Sequence, residues 1–303
     1  MIVHRLRQIW LMTKYVGKPL MVLAVYDQIV VLAYKLLHWN WVSLPHIPLA
    51  LYGSAIGIVL GFRNLSCYDR WWEARTLWGA IVNNSRSWAR QVIAMRAPDR
   101  AGSAGLATMQ RRMVYHQIAY AHALRQHLRK LEPWKELAST LTNSELNALR
   151  GEQNVPFTLQ RQMADMLQDC RDRGWIEGWQ WLAMDGSLND LADAQGGAER
   201  IKNTPMPRQY YYFPRLFVDM YCLLLPLALI ASMGWYTPLG STLVGFIFLA
   251  LDKIGSDLED PFVNDANDVP MTSITHTIEV NLRQLLGETD LPMAEPELKG
   301  LFW

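Results

Sequence analysis

The sequence predicts an all-α membrane protein with four transmembrane helices in two hairpins and a helical cytosolic domain inserted between them. Three observations carry that prediction. Apolar residues are gathered into four stretches near the two ends of the chain, while charges fill the middle and the flanks; a water-soluble domain interleaves the two classes. Aromatic pairs stand in the short connections, Trp39 and Trp41 between the first two stretches and Trp235 and Tyr236 between the last two, where an interfacial belt would place them. The middle of the chain has helical periodicity, with no strand-like alternation of any length and no tandem repeat.

Taken in order, the amino terminus MIVHRLRQIWLMTKYVGKPL is basic and amphipathic. It lacks a long apolar core and a small-residue cleavage site, so it reads as an interfacial helix rather than a secretory signal. The first span covers about 20–37 and the second about 48–66, uncharged until Arg63. The third covers about 214–233 and the fourth about 238–254, with only Gly234, Trp235, Tyr236 and Thr237 between them, which makes a helical hairpin. Each is close to the roughly 20 residues that cross a bilayer. From Tyr68 to Arg208 the chain reads as amphipathic helices, with breaks at APDRAGSAG, near Glu132 and Pro133, at RGEQNVP and around AQGGAERIKNTPMP. The expected division is therefore 1–67 for the interfacial helix and first hairpin, 68–213 for the helical cytosolic domain, 214–256 for the second hairpin and 257–303 for a cytosolic carboxy-terminal segment. A soluble bundle of four buried helices is the competing arrangement. Asp27, Lys35, Arg215 and Asp219, in or beside the spans, would suit it, but the aromatic flanks would not.

Orientation follows from the positive charges. Arg5, Arg7, Lys14 and Lys18 precede the first span, the connections HWNWVSLPH and GWYT carry no Lys or Arg, and the region from Arg63 onward is rich in arginine. Both termini and the middle block are expected in the cytoplasm, with the chain a multi-pass protein of the cell inner (plasma) membrane. A net charge of +1 gives no pull toward nucleic acid. Cys67, Cys170 and Cys222 form no CxxC pair and read as free thiols. His116, His122 and His127 lack HExxH spacing, and no glycine-rich phosphate loop or GxSxG elbow is present, so the chain does not read as an enzyme.

The second span holds two superimposed patterns. Gly53, Gly57 and Gly61 form a smooth stripe that another helix backbone could approach, and Ser54, Ile58 and Phe62 form a second stripe about 100° away. Spacing alone leaves Ile58 and Phe62 as core, lipid-facing or lumen-facing residues. Arg70, Trp71, Trp72, Glu73 and Arg75 make a dense charged and aromatic cluster with an expected structural role. Arg215 and Asp219 are spaced to pair within the third span, whereas Asp27 has no partner visible in the sequence.

The segment GFRNLSCYDRWWEARTLWGAIVNNSRSWARQ, with its GFRN turn, RWWEAR block and LWG step, resembles the bestrophin signature, as do ERIKNTPMP before the third span and DLEDPFVNDANDVP after the fourth. The resemblance implies a homopentamer around one axial pore, with a neck lined by Ser54, Ile58 and Phe62 and a cytosolic aperture at Met206. Ser54 departs from the larger apolar residue usual at its level, which suggests a wider or wetter entrance. It also implies passive conduction of small monovalent ions. Arg208, two residues beyond Met206, is the selectivity candidate and tilts the expectation toward chloride and other anions. A monovalent cation channel of the same fold and a non-conducting membrane-anchored sensor or scaffold are the alternatives. The acidic segment corresponds to the calcium-sensing clasp of animal bestrophins. Its Asn264, Asp265 and Asp268 are only weak calcium candidates, because asparagines and Ala266 interrupt the carboxylates; a loop cap is the expected role, and no cofactor is expected.

Overall fold

The computed structural model describes residues 15–97 and 103–293, so the expected interfacial helix falls largely on residues outside the described ones. Among the described residues there are ten α-helices, two short 3-10 turns and no strand. They divide into two compact units, residues 15–71 with Pro205–Asp260 and residues 72–204 with 261–293. The returning helix begins at Arg208, ahead of the expected start at Pro214. Pro207 supplies the entry turn, and Pro214 lies inside the helix.

In the first unit, α1 (Gly17–Lys35) buries Leu23, Asp27, Val30 and Val31 and turns Met21, Val22, Val25, Ile29 and Leu32 outward. Helix α2 (Leu49–Ala94) enters here and continues into the second unit. At 46 residues it is about 69 Å long, more than twice the ~30 Å hydrocarbon core of a bilayer. The expected turn at GFRN is absent: Gly61, Phe62, Arg63 and Asn64 all lie mid-helix. Numbering the later helices in chain order, α8 (Arg208–Met233) and α9 (Thr237–Leu258) form the second hairpin. They are joined through Gly234, whose φ of 53° suits glycine, and a 3-10 turn to Tyr236. Leu23, Ile56, Leu60, Val218, Tyr221 and Leu225 form the core between α1, α2 and α8. Three helical stretches, Gly17–Lys35, Leu49–Ala94 and Arg208–Leu258, are long and apolar enough to cross a membrane.

The second unit contains the rest of α2, α3 (Ser103–Arg129), α4 (Trp134–Leu137), α5 (Asn143–Leu149), α6 (Val155–Asp172), α7 (Gly178–Asn203) and α10 (Met271–Leu285). Local chemistry sets several starts. Thr142 and Glu145 form a reciprocal capping box on α5, and Asn154 caps α6 ahead of Pro156. Helices α3 and α6 pack together, and α10 packs on α3. The core is conventional for water, with Trp78, Trp88, Met113, Ile118, Tyr120 and Leu124 fully buried.

Helix α7 runs unbroken through Gly196 and Gly197, and Leu77 of α2 approaches at Gly197, where a Cβ would lie 2.8 Å from Leu77 Cδ2. The break expected around AQGGAERIKNTPMP falls toward the end of that stretch, at Thr204. A further break separates α6 from α7, turning through Gly174 at φ 70°.

Candidate functional site

Helix α2 has a buried back and an exposed front. Ile56, Leu60, Arg63 and Cys67 form the back. Ile58 and Phe62 each lie two residues from Leu60, about 200° round the helix and so on the other side; they are 61% and 68% exposed. Ser54 shares their face, and its hydroxyl donates to the Ala50 carbonyl at 2.8 Å, which leaves a small surface with its proton already used. The structure thus brings the three neck candidates onto one uncovered stripe.

The glycine stripe is only partly a packing seam within the chain. A Cβ on Gly53 would meet the Tyr221 hydroxyl at 3.0 Å, but Gly57 and Gly61 have nothing within 4 Å. Within one chain the stripe is filled only at Gly53.

The back of α2 is held by polar contacts that sequence reading did not assemble. Arg63 Nη1 reaches Asp252 Oδ1 at 2.5 Å, Asn64 Nδ2 donates to the Leu251 carbonyl at 2.9 Å, and Arg70 Nε donates to the Glu259 carbonyl at 2.7 Å. The signal available was Asp252 itself, an acid within the expected fourth span, since a charge inside an apolar helix requires a partner. Met206 lies on this side too. It is half-buried, with the Cys67 thiol donating to its Sδ at 3.5 Å, so within one chain it does not share the face of Ile58 and Phe62. Arg208 opens α8, is exposed and makes no ion pair among the described residues. Trp179 and Leu182, on one side of α7 and strongly exposed, were passed over. Their signal was the tryptophan-rich run WIEGWQWLAM, more apolar than one buried helix face needs.

Elsewhere the expected clusters resolve as follows. Glu73 pairs with Arg200, and Tyr68 stacks on Trp71. Arg215 and Asp219 approach only to 4.0 Å and are both exposed. Asp27 has partners after all, accepting from Ser241 at 3.0 Å and Thr242 at 3.2 Å across to α9. In the acidic loop, the Asp268 carboxylate accepts from the backbone amides of Asn264 at 2.6 Å and Asp265 at 3.0 Å, the geometry of a loop cap, with Asn264 in the left-handed region at φ 84°. No group of three or more metal-ligating side chains is assembled among the described residues.

The histidines of the second unit are embedded in ion pairs. His122 Nε2 lies 2.7 Å from Glu279 Oε2 of α10, and its Nδ1 lies 3.6 Å from Glu136 of α4. Burial alone would lower its pKa, but the two carboxylates outweigh burial and raise it above the usual imidazole range. Burial likewise pushes Glu136 up, yet His122 and Arg125 hold it down to about 2. His116, deeply buried against the Arg112 carbonyl at 2.9 Å, is instead lowered by burial.

Comparison with known proteins places this geometry. A voltage-dependent anion channel-forming protein of Ralstonia nicotianae is 33% identical over 258 residues, 84% of this chain and 83% of the relative. One from Escherichia coli is 34% identical over 245 residues, covering 81% and 78%. Among solved structures, a bacterial bestrophin homologue from Klebsiella pneumoniae superposes with a TM-score of 0.81 at 30% identity, covering 89% of this chain and 97% of the other. The family profile described as Bacterial/Fungal Bestrophin protein matches residues 11–284, almost the whole of both units, and the chain belongs to that family.

Proposed function

We propose that the chain is one subunit of a homopentameric channel that conducts small monovalent ions passively, with anions favoured over cations. Each subunit contributes four spans, α1, the first part of α2, α8 and α9, with both termini in the cytoplasm of a cell bounded by this inner membrane. The observation that carries the reading is the uncovered apolar stripe of Ile58 and Phe62 on a helix whose opposite side is fully packed. Repeated around an axis, that stripe makes a narrow apolar ring that excludes water when tight and conducts when slightly dilated. Relatives named as anion channel-forming proteins support the class. An exposed Arg208 in each subunit would raise local anion concentration at the mouth. The cytosolic aperture is assigned to Met206, which within one chain is half-buried and accepts from the Cys67 thiol.

The test is flux from purified protein in liposomes, followed by planar-bilayer recording in asymmetric salt. Phe62→Ala and Ile58→Ala should each raise flux by about tenfold, because shrinking an apolar ring lowers its dewetting barrier by ~1.4 kcal/mol. Arg208→Glu should move the reversal potential toward cations. Assembled Ile58 and Phe62 variants that conduct like the parent would remove these residues from the neck. An unmoved reversal potential would remove the local reason for anion preference.

A further inference from the structure

The turn of α2 that carries Phe62 is gripped from behind. Arg63 is 2% exposed, and its guanidinium forks between two residues of α9, with Nη1 to Asp252 Oδ1 at 2.5 Å and Nη2 to Ser256 Oγ at 2.9 Å. Ser256 donates its own proton to the Asp252 carbonyl at 3.1 Å, so its lone pair is turned toward the arginine. The Tyr211 ring stands 5.7 Å from the guanidinium. The next residue, Asn64, donates to the Leu251 carbonyl at 2.9 Å. Helix α9 comes this close because position 255 is glycine: a Cβ there would lie 2.3 Å from Asn64 Oδ1 and 3.4 Å from Arg63 Cζ.

Interhelical polar bonds help hold membrane helices together, but a buried ion pair also loses hydration on both partners, so its net contribution to stability is small for so elaborate an arrangement. The turn before it is held more simply, by apolar packing, with Ile56 and Leu60 among Val218, Tyr221 and Leu225. What a forked guanidinium adds over apolar packing is position, because two directed bonds in a fixed plane set both the height and the rotation of a helical turn. Phe62 is the adjacent residue, so its projection from α2 is set by the same bonds.

Accordingly, we propose that Arg63 and Asp252, with Asn64 and Gly255, form a positioning clamp that fixes how far Phe62 projects and so sets the resistance of the neck. This rests on the reading of Ile58 and Phe62 as pore-lining residues. The four are positioning residues and need not touch the permeating ion. Loosening the clamp lets the ring dilate, while wedging α2 away from α9 drives the ring inward.

The experiment records flux and unitary conductance of the full-length assembled channel for the parent, Asp252→Asn, Gly255→Ala, Phe62→Ala and the double variants that add Phe62→Ala. Asp252→Asn keeps the shape of the side chain but removes its charge, and flux should rise by about tenfold, equivalent to ~1.4 kcal/mol of barrier. Gly255→Ala should lower flux, because the new methyl pushes the Asn64 turn toward the exposed face. Both effects should vanish in the Phe62→Ala background, the coupling expected if they act through that ring. A purely structural role would leave them undiminished there. If Phe62→Ala alone changes nothing, the neck reading fails. If Phe62→Ala raises flux but the clamp variants conduct like the parent, or keep their effect without Phe62, the neck stands and the clamp is overturned. A clamp variant that does not assemble is replaced by Asn64→Ala, which removes one neutral hydrogen bond and should raise flux in the same Phe62-dependent way.

Discussion

The two units solve opposite solvent problems with the same kind of helix. In the unit of α1, α8 and α9, large apolar side chains point outward: Val22, Ile29, Leu216, Leu239 and Leu243 are exposed, while Asp27, Arg63 and Asp252 are buried. In the unit of α3, α6 and α7, Trp78, Trp88, Tyr120 and Leu124 are buried, and the ion pairs of Arg111, Arg112, Arg161 and Arg200 reach the surface. The difference teaches what holds each together. Lipid tails are as apolar as leucine, so burial drives little association between membrane helices, and close packing and interhelical polar bonds take over. In water, the buried aromatic and aliphatic area is the dominant favourable contribution.

The largest expected effect tests that contrast directly. Trp88→Ala should destabilise the protein by about 3–5 kcal/mol, the usual cost of emptying a fully buried aromatic site. Ile29→Ala, an equally apolar truncation on the outer face of α1, should stay within about 0.5 kcal/mol. Thermal unfolding of the detergent-solubilised protein compares the two. Equal losses would mean that Ile29 is covered by protein rather than lipid.

How much of this was legible depended on sequence distance. The α8–α9 hairpin was readable because its connection is local, with Gly234, Trp235 and Tyr236 between apolar runs, and Gly17–Lys35 falls close to the expected first span. The exposed Ile58 and Phe62 stripe was readable as a period, but its exposure was not. The GFRN segment misled. Glycine, arginine and asparagine together signal a turn in water, but here Arg63 Nη1 and Asn64 Nδ2 donate to α9, 189 and 187 residues away, and the helix continues. The same distance hid the partners of Asp27, which lie 214 and 215 residues further on. Within AQGGAERIKNTPMP, Gly197 does not break the helix, because its smallness serves contact with Leu77.

A smaller effect probes the polar bonds of the membrane unit. Asp27→Ala should cost about 1 kcal/mol, within the range of interhelical hydrogen bonds in membranes. The cost stays modest because Ser241 and Thr242 can turn their hydroxyls to carbonyls one turn back on α9, so neither is stranded. A loss several times larger would show that the carboxylate holds α1 to α9 as strongly as the aromatic core holds the other unit.

The smallest effect concerns the ion network of the second unit, where a single titrating group can be isolated. His122 of α3 faces Glu136 of α4 and Glu279 of α10, with Arg125 beside it on α3 and Arg283 bound to Glu279 at 2.6 Å. Its folded pKa is raised above the unfolded value of about 6.5. The folded state therefore binds the proton more tightly, and this contribution is fully present below about pH 6.5 and lost as pH rises through the folded pKa. Glu136, held down to about 2, behaves in the opposite sense. Its contribution is complete above the unfolded carboxylate range near pH 4.3 and is lost only in strong acid. Between about pH 5 and 6 both are present. The melting temperature should fall modestly from pH 6 toward pH 8, and His122→Gln should flatten that slope, since glutamine still reaches Glu279 but does not titrate. A slope that survives His122→Gln would place the pH sensitivity elsewhere and show that the imidazolium contributes nothing measurable to holding α10 against α3.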